Sequence, residues 1–145
     1  MKWITRENAA VDRIACPWLI RRFVDPGAQF LFVPPGDLVS RAELEEAIPF
    51  DAPGVELGHV DGRCSFESII HKYDLAGDLA LARIARVVHG ADIAGDGRGA
   101  PESEGLRAIA DGFRRMLGKD DARKLELEFP IYDALYAWAE SDMKK

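Results

Sequence analysis

The chain has 145 residues, of which 48% are hydrophobic and 30% charged, and its formal net charge is −6. That length suits one domain able to bury a core, and the composition is that of a globular chain, not a disordered one. The acidic balance argues against direct nucleic-acid binding over a wide face, and no run of about 18 apolar residues exists to span a bilayer.

Lys2–Thr5 reads as a short strand anchored by Trp3. The helix after it, unbroken from about Ala9 or restarted at Pro17, runs to Val24 and is stopped by Asp25-Pro26-Gly27. Gln29–Val33 reads as a strand, and Asp37–Ala47 as a helix with Glu43, Glu45 and Glu46 exposed. Ile48–Pro53 and Gly54–Val60 suggest short extended pieces, so any sheet is small. Ser65 is placed to cap a helix whose apolar positions are Phe66, Ile69, Ile70 and Tyr73. Asp78–His89 follows, closed by Gly90, and the glycine-rich, acidic stretch Ala91–Gly105 reads as a mobile loop. Leu106, Ile109, Ala110, Phe113, Met116 and Leu117 give a strongly amphipathic helix ending at Gly118. Asp120–Met143 breaks or bends at Pro130, beyond which Ile131, Leu135 and Trp138 form a stripe with Tyr132 and Tyr136 at its edge. The sum is a single helix-dominated α+β domain over residues 1–145 with a small sheet of short strands.

The first residues lack the apolar centre of a signal peptide. The two cysteines, Cys16 and Cys64, make no disulfide framework, which points to the reducing cytoplasm. If a helix restarts at Pro17, Cys16 sits at its cap, where the positive end of the dipole favours a thiolate, with Arg21 and Arg22 one turn on. Cys16 to Arg22 matches the C-x5-R spacing of loops that cradle oxyanions under a nucleophile, yet it contains no glycine. The plainer reading buries Cys16 as a small hydrophobe and pairs Asp12 with Arg13 or Arg21.

All three histidines lie between residues 59 and 89, among acids. Glu56 precedes His59 by three residues, Glu67 and His71 are four apart on one helix, and His89 and Asp92 flank a helix end. Imidazole and carboxylate donors suit a divalent transition metal such as zinc, iron, manganese or nickel. Helical periodicity turns Glu67 toward the apolar stripe and His71 toward solvent, while Ala82 and Ala85 leave room beside His89. No HExxH or paired CxxC is present. Each histidine also has a plainer reading: a dipole contact for His89, a turn for His59, a surface pair for His71.

Several blocks together resemble the chromate-resistance protein ChrB family, in its C-terminal domain. They are Trp3-Ile-Thr-Arg, Asp12-Arg-Ile-Ala-Cys-Pro-Trp-Leu-Ile-Arg-Arg-Phe, Gly54-Val-Glu-Leu-Gly-His, Cys64-Ser-Phe-Glu, Val88-His-Gly-Ala-Asp92 and Tyr132-Asp-Ala-Leu-Tyr-Ala-Trp. The resemblance implies a link to bacterial chromate resistance, as part of a regulator of an efflux operon or as a domain joined to a rhodanese-like sulfurtransferase. It also implies that DNA binding belongs to an N-terminal region that this sequence lacks.

Three expectations follow. In the first, His59, Glu67 and His89 hold one divalent metal, with Asp92 as a further ligand and Asp12 and Glu56 supporting it. Arg13, Arg21 and Arg22 then face chromate or another small oxyanion, in a sensor or accessory role. The second is an enzyme: a metal-dependent hydrolase or redox catalyst, or a sulfurtransferase accessory with Cys16 reacting as thiolate. The third is an interaction domain whose acidic face docks a rhodanese-like or regulatory protein.

Overall fold

A computed structural model describes residues 1–143. Its centre is a three-stranded parallel sheet in the order β2-β1-β3, built from β1 (Lys2–Arg6), β2 (Gln29–Val33) and β3 (Ile48–Pro49). Strand periodicity divides β1 between two cores. Trp3 joins the large one with helices α1 (Val11–Leu19), α3 (Ser65–Lys72), α4 (Leu79–Asp92), α5 (Ser103–Leu117) and α6 (Asp121–Met143). Ile4 joins a small one with Val33, Leu38, Ala47 and Ala52, under α2 (Leu38–Glu45). The helix-dominated α+β reading is thus borne out. Among the described residues, no helix is long and apolar enough to cross a membrane.

Of three punctuation residues, Pro17 follows the unbroken-helix reading, Gly90 departs from its reading as a stop, and Pro130 does not break its helix. Pro17 lies inside α1, and the helix continues past it into a wider i→i+5 turn at Ile20–Val24, closed by Asp25 N–H on Ile20 C=O at 2.7 Å. An internal proline costs about 3 kcal/mol. Ile14, Ala15, Cys16, Trp18, Leu19 and Ile20, all essentially inaccessible, offset that cost by burial. Gly90 does not end α4, which runs on to Asp92. A Cβ at Gly90 would collide with Ser103 and lie 2.7 Å from Gly99 Cα, so the glycine serves a close approach of the 93–102 segment. α6 likewise passes through Pro130 unbroken.

Side-chain burial corrects two helix faces. Tyr132 is fully buried at the centre of α6, not at its edge, while Leu135 and Trp138 are only half-buried. On α5, Leu106 and Ala110 face the core, but Ile109 and Met116 are exposed. α3 is capped by Cys64, not Ser65, and Glu67 accepts Cys64 N–H at 2.9 Å.

The approach to α1 is clamped from α6. Asp121 accepts the backbone N–H groups of Asn8 and Ala9 at 3.0 and 2.8 Å, and buried Lys124 donates to Ala9 C=O and Asp121 at 2.9 and 3.1 Å. This fixes where α1 starts, and with it the direction of Asp12 and Arg13.

Candidate functional site

In parallel sheets the crevice beyond the carboxyl ends of the strands, where the chain switches direction, is the usual place for a ligand. Here the chain leaves β1 for β2 and then crosses to β3, so the switch lies between β1 and β3. Arg6 ends β1, Asp51 follows β3, and Asp12 occupies the first turn of α1. His59 comes in from the turn before α3, and Asp92 from the end of α4.

These side chains converge. His59 Nε2 lies 2.9 Å from Asp92, 3.6 Å from Asp12 and 3.7 Å from Asp51. Asp12 Oδ2 accepts Ser65 N–H at 2.8 Å, and Ser65 Oγ donates to Asp51 Oδ1 at 2.6 Å. Asp51 itself adopts φ +47°, and Arg6 donates to its carbonyl through Nε and Nη2 at 3.2 and 3.0 Å. Above the acids opens a cavity of about 320 Å³ walled by Arg6, Arg13 and Arg114. Arg13 donates to Asn8 C=O at 3.2 Å. With the Asn8 amide oxygen turned toward it, Arg114 donates at 3.2 and 3.3 Å.

Two buried polar atoms at this cavity have no partner among the described residues: Asp12 Oδ1 and Arg13 Nε. An orphaned buried acceptor costs roughly 1–3 kcal/mol, more when charged. Burial, with Asp92 and Asp51 adding repulsion, pushes Asp12 up to about 7 although His59 favours its charge. The interaction with Asp12, helped by Asp92 and Asp51, lifts His59 to about 9 against the cost of burial. Asp92 is raised as well, by burial and by Asp51. The cluster holds more negative charge than it can stabilise alone, so it retains protons near neutrality.

A second cluster lies beneath the α3 N-terminus. His89 is wholly buried, with Nδ1 2.5 Å from Glu67 Oε1 and Nε2 2.6 Å from Asp96 Oδ2. Burial opposes its charge, but the bonds to Asp96 and Glu67 prevail and raise its pKa. The segment bearing Asp96 is pinned by Arg98 on Gly62 C=O at 3.1 Å and by Arg86 on Gly99 C=O at 3.2 Å.

The expected four metal ligands are therefore divided. His59 and Asp92 meet Asp12, placed among the donors rather than behind them, whereas Glu67 and His89 meet Cys64. Glu56 is exposed and pairs with Lys72 at 2.7 Å, outside both groups. Arg13 lines the cavity, but Arg21 and Arg22 do not. Arg21 donates to Ala28 C=O at 2.9 Å and stacks on Phe30 and Phe129. Arg22 grips Asp133 through two bonds of 3.0 Å. Cys16 is not at a helix start. It is inaccessible in the middle of α1, and burial beside Asp12 and Asp51 pushes its thiol far up, which removes the basis for an activated thiolate. His71 is exposed, as periodicity indicated.

Sequence reasoning missed Asp51, Arg6, Arg114, Cys64 and Asp96. A signal for Asp51 lay in the sequence: an acid two residues after the short strand Ile48–Pro49 and just before Ala52-Pro53-Gly54, where a chain turns.

The family model for ChrB, C-terminal domain, matches residues 3–139. The chain belongs to the ChrB C-terminal domain family. Protein ChrB of Cupriavidus metallidurans is 37% identical over 144 residues, covering 99% of this chain. The chain spans 42% of that relative's length. No solved structure matches it. The chromate-resistance family read from the sequence blocks is thus shown, and both clusters lie inside the matched ChrB segment.

Proposed function

We propose that this ChrB C-terminal domain acts in chromate resistance by holding a divalent transition metal on Asp12, His59 and Asp92 and a small oxyanion, chromate or sulfate, against Arg6, Arg13 and Arg114. The observation that carries this reading is the orphaned pair at one cavity, Asp12 Oδ1 and Arg13 Nε. A cation supplies the partner that the acceptor lacks, and an anion the partner that the donor lacks. One imidazole with two carboxylates suits manganese, iron, zinc or nickel, and leaves coordination positions open. Asp51 supports the set from Ser65 and Arg6, as an outer partner does.

A catalytic variant of this reading draws on the cavity itself, since about 320 Å³ beside open metal positions has room for a substrate and an activated water. Turnover distinguishes it from a sensor or accessory role. Docking on a rhodanese-like or regulatory partner draws on the shallow apolar groove of Pro130, Ile131, Leu135 and Trp138 along α6.

The test uses the full chain without a histidine tag, stripped and reloaded with each metal, with calorimetric titration of sulfate. We expect Asp12→Asn and His59→Ala each to lose one equivalent of metal, and Arg13→Ala to weaken sulfate about tenfold. Undiminished metal content in both acid-cluster variants, or sulfate affinity indifferent to Arg13, overturns the reading.

A further inference from the structure

We infer that Cys64, Glu67 and His89 form a second metal site, separate from the first and suited to a thiophilic divalent cation, zinc above all. Cys64 Sγ, a Glu67 oxygen and a His89 ring nitrogen all lie within 4.8 Å of one another. Zinc bound to sulfur at about 2.3 Å and to nitrogen and oxygen at about 2.0–2.2 Å needs donor separations inside that limit, reached when the 2.5 Å His89–Glu67 hydrogen bond opens to admit the ion. His89 Nδ1 faces this triangle, while Nε2 meets the Asp96 carboxylate at 2.6 Å. A ligating imidazole has this arrangement, one nitrogen toward the metal and the other tied to a carboxylate that fixes its orientation.

A purely structural triad of Glu67, His89 and Asp96 makes no use of the Cys64 thiol, whose residue otherwise serves as the cap of α3. An imidazolium between two carboxylates needs no thiol. Nor is cysteine a favoured residue for a helix N-cap, where serine, threonine, aspartate and asparagine are preferred. Ser65 stands next in the chain, but its hydroxyl serves Asp51 instead. Cys64 and His89 are both wholly buried and Glu67 is half-buried, so the cation would approach from the Glu67 side, and three protein donors leave one position for water. The soft sulfur donor separates this site chemically from the oxygen-rich cluster of Asp12, His59 and Asp92. Asp96 connects it to the 93–102 segment, so binding there and the order of that segment are coupled.

Cobalt substitution of the untagged full chain tests this, because a cobalt–thiolate bond gives a near-ultraviolet charge-transfer band that oxygen and nitrogen donors do not. The band is expected in the wild type, retained in Cys16→Ser and Asp12→Asn, and lost in Cys64→Ser. His89→Ala should weaken zinc at least tenfold. X-ray absorption of zinc-loaded Asp12→Asn protein gives a readout that needs no change at the site, with one sulfur scatterer at about 2.3 Å expected. Absence of the band in wild type, its survival in Cys64→Ser, or a zinc shell without sulfur overturns the inference. Because Asp12→Asn silences only the first site, failure of either reading leaves the other distinguishable.

Discussion

Of the cavities that carry arginines, the one walled by Arg21 and Arg22 and the one walled by Arg6, Arg13 and Arg114 make the instructive pair, and the smaller is the better candidate. The larger, about 550 Å³, is lined by Arg21, Arg22, Phe30, Phe129 and Asp133, and its arginines are already satisfied by a carbonyl, two aromatic rings and a bidentate aspartate. The smaller, about 320 Å³, holds Asp12 and Arg13 with buried atoms that nothing among the described residues satisfies. Both offer open space beside arginines and acids, and the larger offers more of it. What separates them is unmet hydrogen-bonding and electrostatic demand, for which a fold accepts a cost only when something else is selected.

The sharpest way to break this comparison is Asp12→Asn. The amide oxygen can still accept Ser65 N–H, while the buried charge disappears. Metal affinity should fall about 100-fold or more, whereas the metal-free chain melts within about 1 kcal/mol of wild type or above it, by calorimetry. A variant that loses stability along with metal would mark Asp12 as structural.

A smaller effect separates the two sets of arginines. Arg13→Ala and Arg114→Ala should each weaken sulfate about tenfold, and Arg21→Ala should leave it unchanged. Equal losses from all three would erase the distinction between the cavities.

The pH dependence of stability comes next. His59 titrates near 9 in the folded chain against 6.5 ordinarily, so its contribution is complete below about 6.5 and lost as pH rises through about 9. Asp12 titrates near 7 against 3.8, so the folded chain again holds the extra proton, and stability falls between about 4 and 7. The metal-free protein should therefore lose stability steadily from about pH 5 to pH 9, and added metal should flatten that decline because it replaces the protons. A melting temperature that rises over this range contradicts the proton-holding cluster. Smallest of all, Arg22→Ala should cost no more than about 1 kcal/mol in denaturant unfolding, since its pair with Asp133 is largely exposed.

Much of the fold was legible because it rests on local rules. The strands at Trp3 and Gln29–Val33, the apolar stripe of α3 and the stop at Gly118 follow from period and punctuation. Gly90 was misread because a backbone contact that only glycine permits overrode local preference, and Pro17, left open between an unbroken and a restarted helix, lies inside the helix because the face around it is deeply buried. At the site, residue types were legible and partnerships were not. His89 and Asp92 lie within one helical turn yet serve different clusters, because α4 presents them to opposite neighbours, Glu67 and His59. Asp51 and Arg114 reach the cavity from distant segments, which no local spacing encodes.

The most direct measurement is anomalous diffraction from crystals of the full chain soaked in manganese, collected where manganese scatters anomalously. A peak bounded by Asp12, His59 and Asp92, beneath Arg13, is expected. A fully soaked crystal with no peak there, or with manganese only against Arg21, Arg22 and Asp133, contradicts the proposed site.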